Sequence, residues 1–165
     1  LAPQLHGGGQ QDGLRAGTLP VPLIVGLAAA LELALADREA RALRLAALRD
    51  QLWTGLQQQG RFALNGPPPG PARLPHNLNV TAVGVDGTRL HQALRRQLAV
   101  SSGSACSQGS PSHVLSALGR SRAEAAASVR FGLGRGTTAA EIELALNVVD
   151  AAIAAQNALP RQSSP

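Results

Sequence analysis

Lysine is absent from this 165-residue chain, and all 15 cationic side chains are arginine. No residue of the chain can therefore supply the amine of a Schiff base, or a lysine acting as general base. Methionine and tyrosine are missing too, and aromatic residues amount to 2%. A chain without Met that begins at Leu1, a residue unlike those exposed by signal cleavage, reads as a piece of a longer protein. The single cysteine, Cys106, excludes an intrachain disulfide framework and a multi-cysteine zinc site. No signal peptide is visible. The most apolar run, 19–36, carries Pro20, Pro22 and Glu32 and is at the short limit for a span, so no membrane segment is expected.

What is present suits one domain with a real core. Apolar residues are 44%, well clear of disordered compositions, and the length fits one domain better than two. The net charge of +5 and a pI of about 11.4 raise the question of nucleic acid. Against that reading, the arginines are dispersed, aromatics for base stacking are scarce and no recognition motif appears. The 30 Ala and 18 Gly beside zero Lys also carry the mark of GC-rich coding, which weakens any argument from arginine abundance.

Residues 1–18 read as loop, with the Gly7–Gly9 run free to take unusual backbone angles and to form either a simple turn or an anion-binding nest. A helical pattern then covers 21–59, opened by Pro20 and Pro22. Its first half is apolar all round, which predicts burial. Its second half is amphipathic, with Leu45, Leu48, Leu52 and Leu56 in one stripe. A straight helix of that length would span roughly 58 Å, too long for this domain, so a break is expected near Gly26 or Asp37. The Pro/Gly-rich stretch 65–76 cannot hold regular structure. Leu78, Val80 and Ala82 alternate with Asn77, Asn79 and Thr81 as a half-buried strand. Asp86 caps a helix over 88–98, and a short apolar piece, 98–101, runs into the loop SSGSACSQGS. Ser110 and Pro111 open another helix ending at Gly119. The pattern over 128–133 alternates as a strand, and Thr138 with Glu141 forms a capping box for a last helix. The whole predicts an α+β fold, one long helix and a small sheet covered by helices. No metal-ligand spacing links His6, His76, His91 and His113, so no metal is expected.

Three residues stand out as candidates for chemistry. Cys106 sits among small residues that present a thiol rather than bury it; it is either a chance loop cysteine or a nucleophile. Arg130 lies mid-strand, opposite the apolar face, between Ser128 and Gly132. It belongs either to a solvated strand face or to a site where guanidinium pairs with a carboxylate. Thr18 is first a candidate N-cap for the helix that follows, and its hydroxyl also suits a phosphate.

Five separate motifs carry a resemblance: HGGGQQDGLRAGTLPVPLIVGL from His6, LNVT from Leu78, VSSGSACS from Val100, PSHVLSALG from Pro111 and SVRFGLGRGTT from Ser128. In this order, over about residues 4–155, they resemble the C-terminal portion of NifS/IscS-like cysteine desulfurases, class V aminotransferase-fold enzymes dependent on pyridoxal 5'-phosphate (PLP). The resemblance implies the small-domain part of a fold-type I PLP-dependent transferase. It implies that 1–36 end the large-domain region and start the linking helix, that 37–158 form the C-terminal small α+β domain, and that 159–165 are a disordered tail. It further implies that Cys106 is the persulfide-forming cysteine, that Arg130 holds the substrate α-carboxylate, and that Thr18 hydrogen-bonds the PLP phosphate of the neighbouring subunit in a homodimer. L-cysteine is then the substrate, alanine the product, and a sulfur acceptor or iron-sulfur scaffold protein the partner, in the cytoplasm. The PLP lysine of the family lies upstream of the matched region, in keeping with the missing Lys. Two departures stand out: the loop after Cys106 is about two residues shorter than the commoner form, and Gln11–Asp12 replace an acidic–basic pair. The competing reading is a non-catalytic binding module that keeps the small-domain fold.

Overall fold

The structure, a computed structural model, describes residues 1–103 and 112–158. Cys106 and the expected tail 159–165 lie outside the described residues. The chain divides into two compact units, Leu1–Arg38 and Glu39–Pro165.

The first unit is a loop followed by helix α1 (Val21–Ala36). Left-handed backbone runs through Gly9, Gln11, Asp12 and Gly13, so the tight turn lies after the Gly7–Gly9 run rather than in it. The Gly13 amide closes that turn on the Gly9 carbonyl at 3.1 Å, and the Gly17 amide donates to Gln10 Oε1 at 2.9 Å. Pro20 holds the N-cap position of α1 and no side chain caps it. Thr18 is therefore not the helix cap expected from sequence; it lies two residues too early for its hydroxyl to reach the first free amides. The expected burial of α1 also fails among the described residues, where none of its side chains is buried. Leu23 and Leu27 are 73% and 72% exposed. A helix apolar on every side needs cover all round, and its large apolar side chains stand exposed here.

The long helical pattern breaks at Asp37, not at Gly26. Asp37 takes φ −118° and ψ 13°, outside the helical region. A short carboxylate competes for backbone amides and is a poor helix-interior residue, whereas one Gly in an apolar helix costs only about 1 kcal/mol.

The second unit opens with α2 (Arg38–Gln58, the first residue shared with the junction). Three strands follow, β1 (Phe62–Leu64), β2 (Asn77–Ala82) and β3 (Ser128–Gly132), in antiparallel order β1-β2-β3. Between β2 and β3 lie α3 (Gly87–Leu94), α4 (His113–Ala117) and α5 (Arg122–Ala126), and α6 (Ala139–Asn157) ends the unit. The α+β class expected from sequence is what is observed. Leu78 and Val80 of β2 and Val129 and Phe131 of β3 turn one sheet face to a core filled by Leu52 and Leu56 of α2, Leu90 and Leu94 of α3, and Val149 and Ile153 of α6. The expected caps form where chemistry dictates: the Asp86 carboxylate accepts from the Arg89 amide at 3.0 Å, and Thr138 and Glu141 form the capping box of α6.

Four details differ from the sequence reading. α3 stops at Leu94, four residues early. The expected strand 98–101 is a single bridge, in which Ser101 exchanges both backbone bonds with Arg130 at 2.9 and 3.1 Å. β1 and α5 were not foreseen, because three and five residues are too short to show a period. The helix after Pro111 begins only at His113, capped by Ser112.

Gly87 marks a close approach between α3 and α5. A Cβ there would collide with the Ala126 carbonyl at the end of α5. Because backbone cannot swing aside as a side chain can, we predict that Gly87→Ala lowers stability by about 1–3 kcal/mol, read as a lower urea midpoint at unchanged m-value. His91 offers a second test. Its Nε2 lies 3.1 Å from the Ser128 carbonyl, so the proton sits on Nε2, and burial pushes its pKa below the ordinary 6.5 despite that bond. The unfolded chain then takes up the proton at a higher pH than the folded one. Stability is complete above pH ~6.5 and falls as the pH drops through the lower folded value. Urea midpoints from pH 7.5 to 5 should fall less steeply in His91→Gln; an identical slope would sink the assignment.

Candidate active site

The sheet's second face is polar, and it is not the solvated face that alternation suggests. Thr81 is fully buried and Ser128 is 2% exposed. They are cross-strand partners, their hydroxyls 2.8 Å apart. Over them lies Asn65, 4% exposed, on the residue that follows β1. Its Nδ2 lies within 2.8 to 3.2 Å of Asn79 Oδ1, Thr81 Oγ1 and Ser128 Oγ. Its backbone amide donates to the Asn79 carbonyl at 3.0 Å. A buried amide in that position costs several kcal/mol unless paired, and here every polar atom has a partner.

Arg120 closes the assembly from outside. Its Nε donates to Asn65 Oδ1 at 2.6 Å, one terminal nitrogen to the Leu64 carbonyl at 2.8 Å, and the other to Glu124 at 3.3 Å. Glu124 is itself fixed by the Ser121 capping box of α5. The Ser121 amide and hydroxyl hold its carboxyl below the usual carboxylate range, and Arg120 acts in the same direction.

Next along the same face, Arg130 faces Asn79 across the β2–β3 ladder. Its side chain is exposed, and its one described contact is a 3.3 Å bond to Ser101 Oγ. Among the described residues no carboxylate pairs with it. It lines a cavity of about 410 Å³ together with Asn77, Asn79, Ser101, Gly103 and His113. The structure thus brings Arg130 to the very residue, Ser101, from which the segment bearing Cys106 departs. Thr18 belongs to the other unit; its carbonyl accepts from Arg15 at 3.2 Å, and its hydroxyl has no bond among the described residues. Among those residues no three of His, Cys, Asp and Glu gather as a metal site, and no helix is long and apolar enough to cross a membrane.

The class-V aminotransferase family model matches residues 4–145. The chain belongs to that family. Cysteine desulfurase IscS of Klebsiella pneumoniae (strain 342) is 47% identical over 148 residues, which are 88% of this chain and 36% of the relative. A solved NifS-like protein superposes with a TM-score of 0.77 at 32% identity, over 92% of this chain and 39% of its own. SspA in complex with cysteine matches with a TM-score of 0.53 at 35% identity, over 81% of this chain and 35% of its own. The chain therefore spans between a third and two-fifths of the length of these relatives.

Within this class-V aminotransferase chain, sequence reasoning singled out Arg130 and passed over Asn65, Asn79 and Arg120. Asn79 stood in plain view as a polar position of a strand. Nothing local marks Asn65, since a residue in a Pro/Gly-rich stretch reads as loop. Its cross-strand partners come from 14 to 63 positions away.

Proposed function

We propose that the protein containing this chain is a PLP-dependent cysteine desulfurase, converting L-cysteine to alanine and leaving the sulfur as a persulfide on Cys106. The observation that carries this reading is the Arg130 guanidinium, without a carboxylate partner among the described residues and lining a cavity beside Ser101 in which Asn77 and Asn79 stand with apolar residues such as Leu115 and Leu118. A guanidinium fork takes an α-carboxylate through two parallel hydrogen bonds and thereby fixes the orientation of the amino acid. The SspA structure with cysteine, and the naming of the relatives, support L-cysteine as that amino acid.

Cys106 follows Ser101 by five residues, so covalent geometry keeps its Cα within about 18 Å of the Ser101 Cα. The Cys106 thiolate attacks the sulfur of the bound cysteine; the new S–S bond forms as the carbon–sulfur bond breaks, and the carbon fragment takes up protons to become alanine. The persulfide sulfur then passes to an acceptor or iron-sulfur scaffold protein.

When bound, PLP supplies an electron sink for bond changes at the amino acid's α-carbon. The residues of this chain fit one edge of it: the Thr18 hydroxyl, unbonded among the described residues, suits a phosphate oxygen of the partner subunit's cofactor in a homodimer, and no lysine is present to anchor the ring. We place 1–36 at the end of a large domain and 37–158 in the small domain, in a cytoplasmic enzyme.

Two experiments on the full-length enzyme test this. Arg130→Ala should raise the KM for L-cysteine about 10- to 150-fold, the cost of a charge-assisted pair worth roughly 1.5–3 kcal/mol, and Arg130→Lys should recover only part of it. Unchanged saturation in both variants would reduce Arg130 to a strand-face residue. Cys106→Ala should leave the absorption spectrum of the bound cofactor intact and abolish persulfide formation, measured by alkylation and mass spectrometry. Sulfur delivery at the normal rate in that variant would exclude Cys106 as the acceptor.

A further inference from the structure

Arginine can only donate hydrogen bonds, and this fixes the orientation of two amides in succession. Arg120 Nε lies 2.6 Å from one terminal atom of the Asn65 side chain, so that atom is the oxygen. The other terminal atom of Asn65 is then the NH₂ group, and it faces Asn79 at 2.8 Å. The atom of Asn79 that receives it must be the carbonyl oxygen. The Asn79 NH₂ group is what remains, and it has no partner among the described residues. Asn79 is only half-buried, lines the Arg130 cavity and stands directly opposite Arg130 in the ladder.

We propose that Asn79 is a substrate-binding residue, donating from Nδ2 to the same carboxylate that Arg130 holds. The proposal rests on the reading of Arg130 given above. The relay Glu124–Arg120–Asn65 acts through Asn79 and positions its donor. It does so without exposing a competing acceptor, because the one oxygen of Asn79 is turned away and occupied. Asn77 lines the same cavity but has no such relay, so its amide orientation is not set. An amide donor beside a guanidinium selects for a carboxylate and leaves an amine or a thiol unrecognised, so Asn79 sharpens the preference for an amino acid over a decarboxylated analogue.

Asn79→Asp is the discriminating variant. It is nearly isosteric and still accepts from Asn65, but it turns a second anionic oxygen toward the substrate carboxylate. In the full-length holoenzyme the KM for L-cysteine should rise at least tenfold with kcat within about threefold, since one bond to a charged group is lost and a repulsion added. Half-saturation by cysteamine, which has the amine and thiol but no carboxylate, should stay unchanged when followed by the cofactor's absorption. Asn79→Ala serves where the aspartate variant does not fold: Asn65 keeps its Thr81 and Ser128 neighbours, and the cysteine KM should rise roughly three- to tenfold with cysteamine again unaffected. An unchanged cysteine KM in the Asn79 variants beside a raised one in Arg130→Ala would overturn the role of Asn79 and leave that of Arg130 standing. An unchanged KM in all variants would remove the carboxylate site itself. Equal weakening toward cysteine and cysteamine would make Asn79 a structural support and overturn the proposal.

Discussion

The second unit turns on one side-chain amide. Asn65 sits where β1 ends, bonds to the backbone and side chain of β2, and reaches Ser128 at the start of β3. It therefore spans all three strands on the face that the hydrophobic core does not reach. A three-stranded sheet in which β1 has three residues has little ladder of its own, and its short strand would fray without such a clasp. The same amide transmits the donor-only character of Arg120 into the cavity. Sheet stability and site geometry thus depend on a single group, and a residue that satisfies one demand is constrained by the other.

The apolar half of this domain was legible in sequence, and the polar half was not. Leu78, Val80 and Val129 announce themselves by alternation, and Leu52 and Leu56 by helical spacing, because each needs only to face one common interior. Helix starts were equally readable at Asp86 and Thr138, where the cap and its target lie three residues apart. The hydrogen-bonded cluster obeys no such local rule. Asn65 finds Thr81 sixteen residues on and Ser128 sixty-three residues on, pairings that only register determines. For the same reason the alternation over 77–82 suggested a wet face where Thr81 is in fact dry. Arg130 was visible as a candidate, but what makes its position special, the Ser101 bridge, is a long-range contact that no pattern shows.

Helix α1 shows a different limit. Hydropathy identified 21–36 as a segment that wants cover, and in the described residues that demand is unmet. Composition reports what a surface needs, not which part of a protein provides it. The break at Asp37 follows from local chemistry alone and was one of two positions that sequence offered. It separates a helix with apolar side chains on every side from one whose Leu45, Leu52 and Leu56 face a single core. The change of pattern and the change of backbone coincide.

Several of the arginines serve the fold's own backbone. Arg44 donates to the carbonyls of Thr137 and Arg135 at 2.7 and 2.6 Å, Arg49 to that of Leu74, Arg73 to those of Pro67 and Asn65, and Arg120 to that of Leu64. Arg15 does the same for Gly17 and Thr18. Loops rich in Pro and Gly leave carbonyls without amide partners, and a guanidinium with five donors can hold two or three at once, which a lysine ammonium on its flexible stem does less well. A protein that uses arginine as a loop clamp accumulates positive charge as a by-product of folding. Arg130 is not used in this way among the described residues. It sits on a strand paired on β2, its side chain bonds the Ser101 hydroxyl among the described residues, and it lines a cavity.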